Sequence, residues 1–215
     1  MAGLRVNPTR MEMKKLGGKL ATARRGHKLL KDKRDELMKQ FLDIVRANKA
    51  LREQVEERLV AVHASMSIAA SLSSRKMLEE ALMLPKTEGS LSISYRNRMG
   101  VALPVFAFTL HKAGVGAQSY GFAFTSGELD AAIASLSALL PDLVRLSELE
   151  KSAQMLAEEI EKTRRRVNAL EYIMIPQYKE SIRIIEMKLD ENERGNTVRL
   201  MKVKDLAVAK ERNAQ

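Results

Sequence analysis

A phosphate loop cradles anionic oxygens with backbone N–H groups, and it needs Ser or Thr after its lysine to reach a magnesium ion. Gly17-Gly18-Lys19 begins such a pattern, but Leu20 follows, so the hydroxyl is missing. Gly114-x-Gly116 is followed by turn residues and an apolar run rather than a helix start, so a dinucleotide fingerprint is not expected. His27, His63 and His111 stand on different segments without ligand-spaced neighbours. With no Cys there is no thiolate nucleophile, disulfide or sulfur-bound metal. Carboxylates are many, but they sit beside cations on helix-patterned segments rather than in opposed pairs. The expectation is no catalytic, cofactor or metal site. What remains is positive charge. RRGHKLLKDKRDEL (24–37) holds six Lys or Arg and one His against three acids, and Arg164-Arg165-Arg166 is a second run. Such runs can bind phosphate, form a solvated helix face, or be gripped by an acidic partner. For Arg164-Arg165-Arg166, Glu158, Glu159 and Glu161 favour a solvated face paired one helical turn apart. For residues 24–34, spacing alone leaves the solvated face and the gripped rod equal.

The elements that carry these runs are long helices. Asn7-Pro8 reads as a helix start. From Leu16 the apolar residues recur at steps of four and three, through Leu20, Ala23, His27, Leu30, Arg34, Leu37, Phe41, Ile44, Asn48, Leu51 and Val55. A heptad seam sustained this far is a coiled-coil pattern. It continues to Leu84-Pro85, which spans an N-terminal helix over 7–84, a rod of about 100 Å. His27, Arg34 and Asn48 are polar seam residues of the kind that fix register. Arg24, Arg25, Lys28, Lys31 and Lys33 fall off the seam and face outward.

Residues 86–127 change character, with alternating SLSISY, the apolar runs VFAFTL and YGFAF, and several glycines. Two to four short strands in hairpins are expected, forming a small head, with Pro104 at an edge or bulge. Thr125-x-x-Glu128 is a capping box that opens a second long helix over 128–210. Its seam includes Leu156, Ile160, Thr163, Val167, Leu170 and Met174. Beyond Met174 it steps by consecutive fours, a stutter, and Pro176 should kink the helix or open one hydrogen bond. The fold class is therefore mainly α, a long antiparallel two-helix coiled coil with a small β-hairpin head between the helices. That topology brings both chain ends to one tip.

The tip is cationic. Residues 1–50 hold 14 Lys or Arg against 5 acids, and residues 161–215 hold 13 against 9, within a chain of net charge +10. An anionic partner near the ends fits this asymmetry. Nucleic acid is not expected, since no groove-reading motif, zinc site or stacking platform accompanies the charge. No secretory leader is expected from the first twenty residues, and no apolar run nears the roughly 18 residues that span a bilayer, so direct membrane insertion is not expected either.

NPTRMEMKKLGGKLATARRGHKLLKDKRDEL (7–37) and RRRVNALEYIMIPQYKESIRIIEMKLDENERGNTVRLMKVKD (164–205) closely resemble the D subunits of V-type and A-type rotary ATPases. The resemblance covers both long helices. It implies a central-stalk rotor subunit, non-catalytic by itself, that transmits torque between ATP hydrolysis or synthesis and proton or sodium transport. It implies as partners the catalytic A and regulatory B subunits, the F subunit and the rotor-ring cap subunit (C or d). It implies a peripheral location in the soluble sector, on the cytoplasmic face of the membrane. Arg24, Arg25, Lys28, Lys31, Lys33, Arg164, Arg165 and Arg166 are then the residues expected to contact the A/B ring. A prefoldin-like coiled-coil chaperone, which also sets β-hairpins between two helices, is the alternative; its tips should expose apolar clamps, whereas this tip is cationic.

Overall fold

The computed structural model describes residues 7–83, 87–112, 120–121 and 125–213. The Leu84-Pro85 boundary, Gly114-x-Gly116 and Phe122–Phe124 lie outside these. In chain order the elements are α1 (Arg10–Leu72), α2 (Arg75–Leu82), β1 (Thr87–Arg98), β2 (Val101–Lys112), α3 (Gly127–Asn168), a π-helical turn (Ala169–Met174) and α4 (Ile175–Asn213). The fold is the expected one, long helices with a two-stranded antiparallel hairpin between them.

Local chemistry sets the element ends. α1 is capped by Thr9 rather than by Asn7, because the Thr9 hydroxyl accepts from the Glu12 N–H at 3.2 Å and closes the first turn. The first helix breaks near residue 73 instead of running on to 84. Ser74 has extended backbone there, and its hydroxyl accepts from the Met77 N–H to start α2. At the start of α3 the Thr125 hydroxyl donates to the Gly121 carbonyl at 3.1 Å, tying the helix to the preceding loop.

The chain folds as two compact units. The first joins residues 1–34 to 161–215. As α1 advances from Arg10 to His27, its ion-pair partner retreats from Glu193 to Glu171, so the segments are antiparallel. Leu16 and Ala23 of α1 are buried here, with Val167 and Ile185 from the C-terminal side.

The second unit holds residues 35–160. Here Arg52 pairs with Glu150 and Arg58 with Asp142, again antiparallel. Its core gathers Leu37 of α1, Leu156 and Ile160 of α3, and Val101 and Leu103 of β2. The hairpin is a single pair of 12-residue strands, paired without a bulge from Thr87↔Lys112 to Arg98↔Val101. Met99 and Gly100 form its two-residue turn with φ of 52° and 85°, both left-handed, as a turn matching the twist of the strands requires. The Asn97 side chain accepts from the Gly100 N–H at 2.9 Å and holds the turn. β2 lies along α3: Leu110 near Ile133 and Leu140, the Phe106 N–H on Glu148, and Val101 and Leu103 beside Leu156 and Ile160. Its end nearest the turn therefore enters the helical core.

Candidate partner-binding surface

The seam residues divide between the two units. In the second, Leu37 is fully buried and Phe41 packs half-buried against its cluster. In the first, Val167 is buried, Leu30, Arg34 and Leu170 are half-buried, and Met174 is 38% exposed. Thr163, also on the seam, is buried with its hydroxyl unpaired.

Filling the seam with apolar groups leaves the charge outside. Arg24, Arg25, Lys28 and Lys31 are exposed, while Lys33 is half-buried and engaged in an interaction. All five belong to the first unit, as do Arg164, Arg165 and Arg166, which are exposed too. Arg165 is paired along its helix with Glu161. Its hydrogen bond, then its charge, and then the charge of Arg164 hold the Glu161 carboxyl below its ordinary range. His27 meets Glu171 across the helices at 3.3 Å, which suits a polar seam residue that sets register.

One feature of this unit was only hinted at by the sequence. Six residues, Ala169–Met174, form a π-helical turn two residues before Pro176. Proline cannot donate to the helix ladder, and its ring presses on the carbonyl four residues back. Widening the preceding turn relieves both. The turn pushes Tyr172 and Ile173 outward, at 71% and 54% exposure. Opposite it α1 presents Gly18, Ala23 and Gly26, so an open groove of about 600 Å³ forms between these small residues and Leu170, Met174 and Tyr178. The stutter after Met174 and Pro176 itself were the sequence traces of this widening. The cross-helix pairs Arg52–Glu150, Arg58–Asp142 and His27–Glu171 left no such trace, because pairing partners across a coil needs the register.

The arrangement offers outward guanidinium and ammonium groups on a backbone fixed by buried seams, with an apolar bulge nearby in the same unit. Ion-pair contacts made by such exposed groups are each worth on the order of 0–1 kcal/mol.

A family model that describes the D subunit of ATP synthase matches residues 12–205 of this chain. The chain is similar to the V-type ATP synthase D subunit of Acetivibrio thermocellus, 59% identical over 214 residues, covering 99% of this chain and 96% of that protein. It is 57% identical over 210 residues to the V-type ATP synthase D subunit of Clostridioides difficile, covering 98% and 95% of the two chains. A third relative of the same name, from Thermoanaerobacter sp. (strain X514), is 50% identical over 208 residues and is covered to 99%.

Proposed function

We propose a function that proceeds from one fact: this chain belongs to the family of ATP synthase D subunits. It is the non-catalytic central-stalk rotor subunit of a V/A-type ATPase. It transmits torque between the ring of A and B subunits, where ATP is hydrolysed or made, and the membrane ring that moves protons or sodium. The F subunit and the ring's cap subunit are its other partners. The chain works peripherally, on the cytoplasmic face; no helix among the described residues is long and apolar enough to cross a membrane.

The observation that carries this reading is the exposed row Arg24, Arg25, Lys28 and Lys31 on a helix whose inner face is occupied by its antiparallel partner. A helix paired in this way resists twisting, and its free cations face whatever surrounds it. Acidic loops of a surrounding ring could follow such a face as it turns. Arg164 and Arg166 add charge from the other segment of the same unit.

The test is co-purification. A tagged chain should bring down the A, B, F and cap subunits. Changing Arg24, Arg25 and Lys28 together to Glu should leave helicity near wild type, since all three are exposed. It should weaken assembly with the A/B ring or uncouple hydrolysis from ion pumping, and wild-type binding should fall as salt rises. A triple variant that assembles and pumps like wild type would reduce the row to a solvated face.

A further inference from the structure

The two edges of the hairpin are unequal. The outer edge of β2 lies against α3: Pro104 has no N–H to offer there, and the N–H of Phe106 donates to Glu148 at 3.0 Å. The outer edge of β1 has no such cover among the described residues. It is 12 residues long, contains no proline, and carries Leu91, Ile93 and Tyr95 at 48%, 52% and 69% exposure. A long, unprotected, apolar edge is a template for another strand.

The turn determines which backbone groups are unpaired. Arg98 and Val101 flank a two-residue turn and exchange hydrogen bonds, so the even-numbered residues of β1 point their N–H and C=O at β2. The odd-numbered residues Gly89, Leu91, Ile93, Tyr95 and Asn97 point theirs outward. The unpaired backbone and the apolar side chains therefore belong to the same residues.

We propose that the free chain pairs with a second copy of itself along this edge, β1 against β1 and antiparallel, with Ile93 on the two-fold axis. The argument is self-complementarity. In this register Ile93 faces the partner's Ile93 and Leu91 faces the partner's Tyr95. On the opposite face Glu88 faces the partner's Arg98, and symmetry makes that charge pair twice. A shift of one residue would set odd against even and misalign every donor and acceptor. A shift of two either strands Arg98 beyond the end of the other strand or leaves Glu88 opposite the turn. Only the register centred on Ile93 pairs residues 88–98 completely. The product is a four-stranded sheet whose apolar stripe, continued by Phe106 and Phe108, is twice as wide. An interface this small holds weakly, with a Kd in the micromolar range or above. It is a state of the chain before assembly and does not rest on the rotor reading.

The test exploits the absence of cysteine from the chain. Ile93→Cys places one thiol on the axis, with Cα atoms about 5.5 Å apart across a hydrogen-bonded pair, within the reach of a disulfide. The full-length variant should form a covalent dimer under mild oxidation at least about tenfold faster than Leu29→Cys, a control that is more exposed, on α1. By sedimentation, Glu88→Arg or Arg98→Glu alone should each weaken the dimer about tenfold, and the two together should restore it to within about twofold. Cross-linking of Ile93→Cys no faster than the control would overturn the proposal. So would a double swap no tighter than the single ones, or a chain that stays monomeric at about 200 µM; the edge would then belong to a strand of another protein.

Discussion

Replacing Leu37 by Ala tests whether the hairpin is a separable head or part of the helical core. Leu37 is completely buried and touches a cluster drawn from three elements, with Val101 and Leu103 from β2 and Leu156 and Ile160 from α3. Truncation removes three carbons and leaves a void that can close only if helix and hairpin move together. Leu→Ala at such sites costs about 2–5 kcal/mol, and a site walled by three elements collapses poorly, so about 3 kcal/mol is expected. In a chain of this size 1 kcal/mol moves Tm by about 2–4 °C, so Leu37→Ala should lower the melting of the second unit by roughly 6–12 °C. Leu103→Ala, made in the hairpin, should lower the same transition by about 2–4 kcal/mol. Leu29→Ala, at an exposed position, should stay within about 0.5 kcal/mol of wild type. Thermal melts followed by far-UV circular dichroism read all three. The shared core is refuted if Leu103→Ala leaves the helical transition in place while Leu37→Ala lowers it, because the hairpin would then contribute nothing to the helices.

Three further outcomes are expected. Gly18→Ala and Gly26→Ala should each stabilise the first unit by about 0.5–1 kcal/mol, since an added methyl meets nothing within 4 Å at either site and glycine is a poor helix former; a loss of stability in denaturant melts would show that the groove is not open. Pro176→Ala should stabilise by about 1–3 kcal/mol and slow amide exchange over Ala169–Met174, and unchanged exchange there would sever the π turn from the proline. Tyr120→Phe should cost about 1 kcal/mol by removing the hydrogen bond to Asp130. Burial first, then that bond, then the Asp130 charge, raise the Tyr120 pKa in the folded chain. The unfolded chain ionises earlier, so the tyrosine's contribution is complete below about pH 10 and falls above it, and a gap to Phe that stayed constant from about pH 8 to 11 would contradict this.

Much of the molecule was legible from period alone. Leu37, Val55, Val62, Leu156, Ile160 and Val167 all lie on the seam steps, and all are buried. Steps of three and four report which face of a helix meets a partner, whatever that partner is. The same logic set Arg24, Arg25, Lys28 and Lys31 outside, where they are exposed. The end of the first helix was less visible. Ser71, Ser73 and Ser74 sit inside a pattern that reads as helix, and only the capping bond of Ser74 to Met77 shows where one helix stops and the next begins. Serine competes for backbone groups at many positions, so its presence does not say where it wins.

The hairpin was legible as strands but not as a neighbour. SLSISY alternates because β1 has two faces, while the run from Val101 to Leu110 is denser in apolar residues because β2 has α3 beside it. The two strands thus differ in how many sides are covered, and the difference explains Pro104. On the β2 edge it sits where an outward N–H would have no strand to meet, one pleat from Phe106, whose N–H does find Glu148. Pro104 and Glu148 together close that edge to any further strand. β1 has neither device, and its serines spend their hydroxyls inward, Ser90 on Thr109 and Ser92 and Ser94 on the carbonyls of Ala107 and Val105. Among the described residues, protection therefore lies on the β2 side alone.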